Sequence, residues 1–205
     1  MKAAIHALKY DRLHAAARNL GRMLARAIVQ LAPEAPAEML VVPVPLHRSK
    51  YAERGFNQAR SLAVHALAAL GKSHPAWRLT LAATTLLRQR ATESQAGLTW
   101  RQRRLNLRGA FLVSDPAAVI MKHVLLIDDI FTTGATARAA AQALIQAGAA
   151  SVWVATLARA GRIYGRRGSS ARFDDADEIL GLPGLAPVAI LQEEFTYSSQ
   201  DHSSV

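Results

Sequence analysis

The chain has no cysteine among its 205 residues, which excludes disulfides and thiolate metal sites. No apolar window of about 18 residues occurs, so no segment reads as a transmembrane helix. The opening MKAAIHALKYDRLH carries charge too often to form a signal-peptide core. A soluble, cytoplasmic protein without membrane insertion is expected. Two familiar phosphate-binding patterns, GxxxxGK[ST] and GxGxxG, are also missing, which argues against a P-loop and against a dinucleotide fold. Lys and Arg are absent from Phe173 to Val205, a stretch that holds Asp174, Asp175, Asp177, Glu178, Glu193, Glu194 and Asp201. That tail is −7 and the preceding 172 residues are +17 within a total of +10, so the body should attract phosphorylated ligands or polyanions.

What is present suits one α/β domain, since 51% of the residues are hydrophobic and the length allows a sizeable core. Leu13, Ala16, Leu20, Met23, Leu24, Ala27, Ile28 and Leu31 recur at three- and four-residue steps and predict a helix that ends before Pro33. MLVVPVP reads as a buried strand running into a rigid loop, and Gln58–Leu70 as a helix stopped by Gly71. Residues 86–108 read as a long arm with six arginines (88, 90, 101, 103, 104 and 108) against Glu93. Val124–Ile127 is a strand, Thr136–Ala147 an alanine-rich helix stopped by Gly148, and SVWVATLA the next strand. This βαβ unit predicts a Rossmann-like parallel sheet flanked by helices, with a ligand crevice at the carboxyl ends of its strands. The expected organisation is a domain over 1–160, a basic linker over 161–172 and an acidic tail over 173–205 that holds one strand-like stretch, PVAIL.

The chemistry concentrates in VLLIDDIFTTGAT, residues 124–136. Asp128 and Asp129 stand where a strand ends, and the turn after them leads into a helix whose first N–H groups have no intrahelical partner. Those amides and the hydroxyls of Thr132, Thr133 and Thr136 form a donor surface for a phosphate, while the carboxylates accept from a vicinal diol. A ribose 5-phosphate group suits both halves. The alternative is a helix cap beside a solvated strand end.

VLLIDDIFTTGAT resembles the phosphoribosyl pyrophosphate (PRPP) motif of type I phosphoribosyltransferases. VVPVPLHRSKYAERGFNQARSLA (41–63) and RQRATESQAGLTWRQRRLNLRGAF (88–111) resemble the ComF family of competence proteins. The resemblance implies the type I phosphoribosyltransferase fold, with Asp128 and Asp129 as diol ligands and catalytic centre, and Thr132, Thr133, Gly134, Ala135 and Thr136 as the cradle of the 5′-phosphate. It makes PLHRSKYAERGFNQ a pyrophosphate loop, with Arg48, Lys50 and Arg54 as cationic donors and Gly55 allowing close backbone approach. His47 in that loop is a candidate general acid, or a solvated histidine. Arg90, Thr92, Gln95, Arg103 and Asn106 become lid contacts, or nucleic-acid contacts together with Trp100; a plain charged helix over 99–107 is the third reading.

Mg²⁺ is implied as a companion of PRPP, and no protein metal site is expected. Many family members begin with a four-cysteine zinc ribbon, which this chain lacks, so no zinc is expected. The implied activity is pentosyl transfer from PRPP to a nitrogenous base. The alternative is a non-catalytic accessory of DNA uptake, whose partners would be single-stranded DNA and an uptake helicase. A homodimer is compatible with either. The acidic tail is expected either to solvate the chain or to screen the arginine arm.

Overall fold

The computed structural model describes residues 13–90, 107–131, 134–159 and 185–190. Helix α1 is Leu13–Val29 and strand β1 is Glu38–Pro43. A seven-residue helix, α2 (Arg48–Arg54), and a longer one, α3 (Gln58–Ser73), lead to β2 (Arg78–Leu81). Two short strands, β3 (Leu86–Arg88) and β4 (Phe111–Val113), pair antiparallel as a separate flap. Strand β5 (His123–Phe131), helix α4 (Ala135–Gln146), strand β6 (Ser151–Arg159) and strand β7 (Leu185–Ile190) complete the described elements.

The main sheet is parallel throughout, in the order β2-β1-β5-β6-β7. Parallel strands of this kind are buried on both faces, and the sequence supplies apolar residues for each. Met39, Val41, Leu125, Ile127, Trp153 and Ala155 join the inner faces of α1 and α3 in one cluster. Val42, Val124, Leu126, Val152 and Val154 join α4 and the flap in the other. Strand β7 falls in the stretch assigned above to the acidic tail, so the sheet extends past residue 160. Residues 161–184 lie outside the described residues.

The segment 48–54, expected as loop, is helical because both ends are capped. The His47 ring accepts from the Ser49 N–H at 3.3 Å, and Gly55 takes a left-handed φ of 75° while its N–H donates to Tyr51. Gly71 does not stop α3, which runs on to Ser73; an interior glycine costs a helix only about 1 kcal/mol, and the packed apolar face outweighs it.

The strand order fixes where a ligand would bind. From β1 the chain crosses to β2 on one side, whereas β5 lies on the other side of β1 and leads on to β6. The carboxyl ends of β1 and β5 therefore diverge at a switch point, where open α/β sheets have their crevice.

At the opposite end of the sheet, the turn Val119–Lys122 puts Met121 at φ 57° with its side chain 76% exposed. A methionine there bears left-handed strain of about 1–3 kcal/mol with little burial in return, while glycine adopts that conformation freely. Met121→Gly is expected to raise stability by up to about 1 kcal/mol after the entropy of the glycine is counted, seen as a higher denaturant midpoint at unchanged slope. A lower midpoint would mean that the methionine side chain packs more than its exposure indicates.

Candidate ribose phosphate site

Residues Val44, Pro45 and Leu46 extend β1 into the crevice, and Val44 is tied to β5 by its N–H to the Ile127 carbonyl at 2.8 Å. Asn57 then fixes the start of α3 against this segment. Its Nδ2 donates to the Val44 carbonyl at 3.0 Å, and its Oδ1 accepts from the Arg60 N–H at 3.2 Å as the helix cap. Gln58 follows in the first turn and is only 3% exposed.

These residues form one wall of a cavity of about 250 Å³. Arg54, the last residue of α2, and Arg88, from the flap, flank it, and Asp128, Asp129 and Thr136 form the far wall. Glycine is required at 134, which starts α4 at φ 69° and offers no side-chain cap. The helix dipole and the first amides of α4 are thus presented without a side-chain oxygen at the cap position itself.

The two carboxylates are each oriented by the next backbone amide. Asp128 Oδ1 accepts from the Asp129 N–H at 2.9 Å, and Asp129 Oδ1 accepts from the Ile130 N–H at 2.8 Å. Asp128 keeps a small accessible face toward the cavity, yet protein atoms surround its carboxyl closely. Desolvation, followed by the charge of Asp129, pushes the Asp128 pKa well above the ordinary carboxylate range; the amide bond and the charge of Arg88 only partly oppose this. Burial lowers the Arg88 pKa, and Asp128 works against that shift. The guanidinium also stands 5.6 Å from the centre of the ring of Phe111, its register partner across the flap.

Beside Asp128, its register partner Thr156 on β6 is fully buried, and among the described residues the Thr156 hydroxyl has no hydrogen-bond partner. A buried hydroxyl left in this way is uncommon and costs about 1–3 kcal/mol.

The structure brings Asp128, Asp129, Thr136 and Arg54 to one cavity, with Gly134 and Ala135 at the adjoining helix start. It places other sequence candidates elsewhere. Lys50 is exposed and paired with Glu53 at 2.8 Å, away from the cavity wall. Arg48 and His47 line a neighbouring groove. Gly55 closes α2 at a left-handed φ of 75°, which by itself favours glycine, and a Cβ there would meet no protein atom within 4 Å. Arg90 is exposed just past the flap strand and lines neither cavity nor groove. Thr92, Gln95, Trp100, Arg103, Asn106, Thr132 and Thr133 lie outside the described residues.

Sequence reasoning did not single out Asn57, Gln58, Arg88 or Thr156. The first two stand inside the quoted RGFNQ motif and were legible there; the others depend on long-range pairing.

A family model described as phosphoribosyl transferase domain matches residues 55–182. The DNA utilization protein YhgH of Salmonella typhi is 34% identical over 157 residues, covering 76% of this chain and 65% of that one. Competence protein ComFC of Streptococcus pneumoniae is 34% identical over 122 residues, covering 60% and 49%. The chain thus spans 65% of the first relative's length and about half of the second's. Among solved structures, the allosteric regulatory enzyme of purine biosynthesis superposes with a TM-score of 0.52 at 20% identity, over 88% of this chain and 35% of that one. Glutamine PRPP amidotransferase from B. subtilis does so with a TM-score of 0.50 at 22% identity, over 88% and 36%. These two likenesses concern the fold. With the motif order, the parallel sheet and the family match in agreement, the chain belongs to the phosphoribosyl transferase domain family and, within it, to the ComF-type competence proteins.

Proposed function

We propose that this protein binds PRPP, or a related ribose phosphate, in the cavity between β1, β5 and the start of α4, and transfers its pentosyl group to a nitrogenous base. The observation that carries the reading is the meeting, across one small cavity, of two oriented carboxylates with a helix start whose cap position is a glycine without a side chain. Carboxylates accept from the 2′- and 3′-hydroxyls, and the amides of α4 with Thr136 donate to the 5′-phosphate. Arg54 and the amide of Gln58 reach the opposite wall, where the pyrophosphate of PRPP would extend.

Mg²⁺ fits this donor set as an ion carried by the ligand. Among the described residues no group of three His, Cys, Asp or Glu side chains could cage a metal, and Mg²⁺ commonly binds through one or two carboxylates and substrate phosphates. Asp128 and Asp129 are the residues able to approach it, and its contribution is to neutralise charge on the pyrophosphate. In the transfer, a nitrogen lone pair forms the new bond to C1. The C1–oxygen bond breaks, its electron pair leaves with pyrophosphate, and the nitrogen's extra proton passes to solvent. The chain's own work is to position the sugar and to exclude water.

Calorimetric titration of Mg²⁺–PRPP into the full chain tests the reading. Binding is expected for the wild type and a loss of at least about 100-fold for Asp128→Asn/Asp129→Asn, since each charged hydrogen bond contributes about 1.5–3 kcal/mol. A folded wild type that does not bind would overturn it.

A second reading is supported by the names of the DNA utilization and competence relatives and by the +17 charge of residues 1–172: single-stranded DNA handling in the cytoplasm by the same fold, with an uptake helicase as partner. No helix among the described residues is long and apolar enough to cross a membrane.

A further inference from the structure

A groove of about 830 Å³ opens directly beside the cavity and shares Pro45, Leu46, Asn57 and Arg88 with it. One side is α2 and the first turn of α3, and the other is the flap with the turn before it. Anything lying in the groove could reach the cavity between Asn57 and Arg88. Its lining chemistry is one-sided: Arg48, Arg60 and Arg88 contribute guanidinium groups, and among the described residues no Asp or Glu lines it. Neither Arg48 nor Arg60 is paired with a carboxylate among the described residues. The apolar lining is unusually open as well, with Tyr51 48% and Leu87 44% exposed on opposite sides.

We propose that this groove is the acceptor site and that it selects a planar nitrogen nucleophile bearing a negative group, a carboxylate or a phosphate. The proposal rests on the ribose phosphate reading of the adjoining cavity. The guanidinium groups of Arg48 and Arg60, with no acid among the described lining of the groove, favour an anion and give a neutral base no advantage. Tyr51 and the planar forks of the arginines offer stacking surfaces for a flat ring. The volume lies in the range of sites that take a ligand larger than a bare base, about 300–1,000 Å³. The acceptor's charged group would rest on Arg48 and Arg60, which leaves its nitrogen directed toward the sugar.

The test uses paired probes on the full chain: o-aminobenzoate against aniline for a carboxylate, and adenosine 5′-monophosphate against adenosine for a phosphate. Mg²⁺–PRPP is titrated first, and the probes are then titrated into both the free and the saturated protein. At least one charged probe is expected to bind ten-fold or more tightly than its neutral partner, and the responsive pair identifies the group. Arg60→Glu should abolish that preference and leave the Mg²⁺–PRPP titration unchanged. The substitution is mild for the fold, because Arg60 is exposed and occupies the third position of α3 after its Asn57 cap, where glutamate is favoured. Tyr51→Ala should weaken the ringed probes alone.

Equal affinity for charged and neutral probes, or a preference that survives Arg60→Glu, would overturn the proposal. So would binding of a deoxythymidine oligonucleotide in the groove without binding of either charged probe, which would assign the surface to nucleic acid. Failure of the initial Mg²⁺–PRPP titration would count against the cavity's reading, whereas normal PRPP binding with no charge preference would count against the groove alone.

Discussion

Gly21→Ala is expected to destabilise the protein by about 2 kcal/mol, with a melting temperature lower by about 4–8 °C for a chain of this size. Gly21 lies in the interior of α1, where alanine would ordinarily improve helix propensity by about 1 kcal/mol. The sign is reversed by what α1 packs against. A Cβ built on Gly21 would overlap the Cβ of His65 and lie 3.1 Å from the backbone nitrogen of Ala66, both on α3. Those neighbours are not the flexible ends of long side chains, so the added methyl must push one helix away from the other. Both helices bury one continuous cluster against the sheet, including Leu20, Leu24, Leu62 and Ala66, and separating them opens that packing. Gly71→Ala is the internal control, since it lies within α3 with nothing within 4 Å of its Cβ and should gain stability. Equal responses of the two variants in thermal melts would show that α1 and α3 accommodate the methyl without separating.

That close contact had no sequence signal, and it marks where sequence reasoning succeeds and where it stops. The periodicity of α1, the apolar runs of β1, β5 and β6 and the alanine-rich α4 are local patterns, and each appears near its predicted position. Strands β2 and β3 span four and three residues, too few for alternation to stand out, and exist because longer neighbours pair with them. Strand β5 runs through the acids to Phe131, since its register with β6 continues as far as Arg159. Apolar patterning ended it at Ile127. The acid pair and the helix start were legible in the candidate site because they are contiguous in sequence. Arg88 was not, because only the antiparallel flap brings it to Asp128, some 40 residues along the chain.

Asp128→Asn is expected to make the protein more stable at pH 8 while ribose phosphate binding is largely lost. The folded-state pKa of Asp128 is raised, first by desolvation and then by Asp129. A carboxyl of this kind contributes stability below its unfolded pKa, and that contribution is lost as pH rises through the folded value. Asparagine does not ionise, and its Oδ1 can still accept from the Asp129 N–H. The variant should therefore melt higher than the wild type at pH 8, by an amount of order 1–3 kcal/mol if the ionised group is poorly compensated, and the difference should shrink toward pH 4. Ligand affinity should move the other way. Ionised acceptors hold a diol more tightly than neutral ones, so wild-type affinity for Mg²⁺–PRPP rises with pH across the raised pKa, and the variant binds more weakly and lacks the rise. Parallel stability curves for the two proteins from pH 4 to 8 would refute the strained carboxyl. A raised melting temperature together with lost binding would identify Asp128 as a residue whose charge is kept for a ligand at the fold's expense, a combination that a helix cap or solvated strand end does not produce.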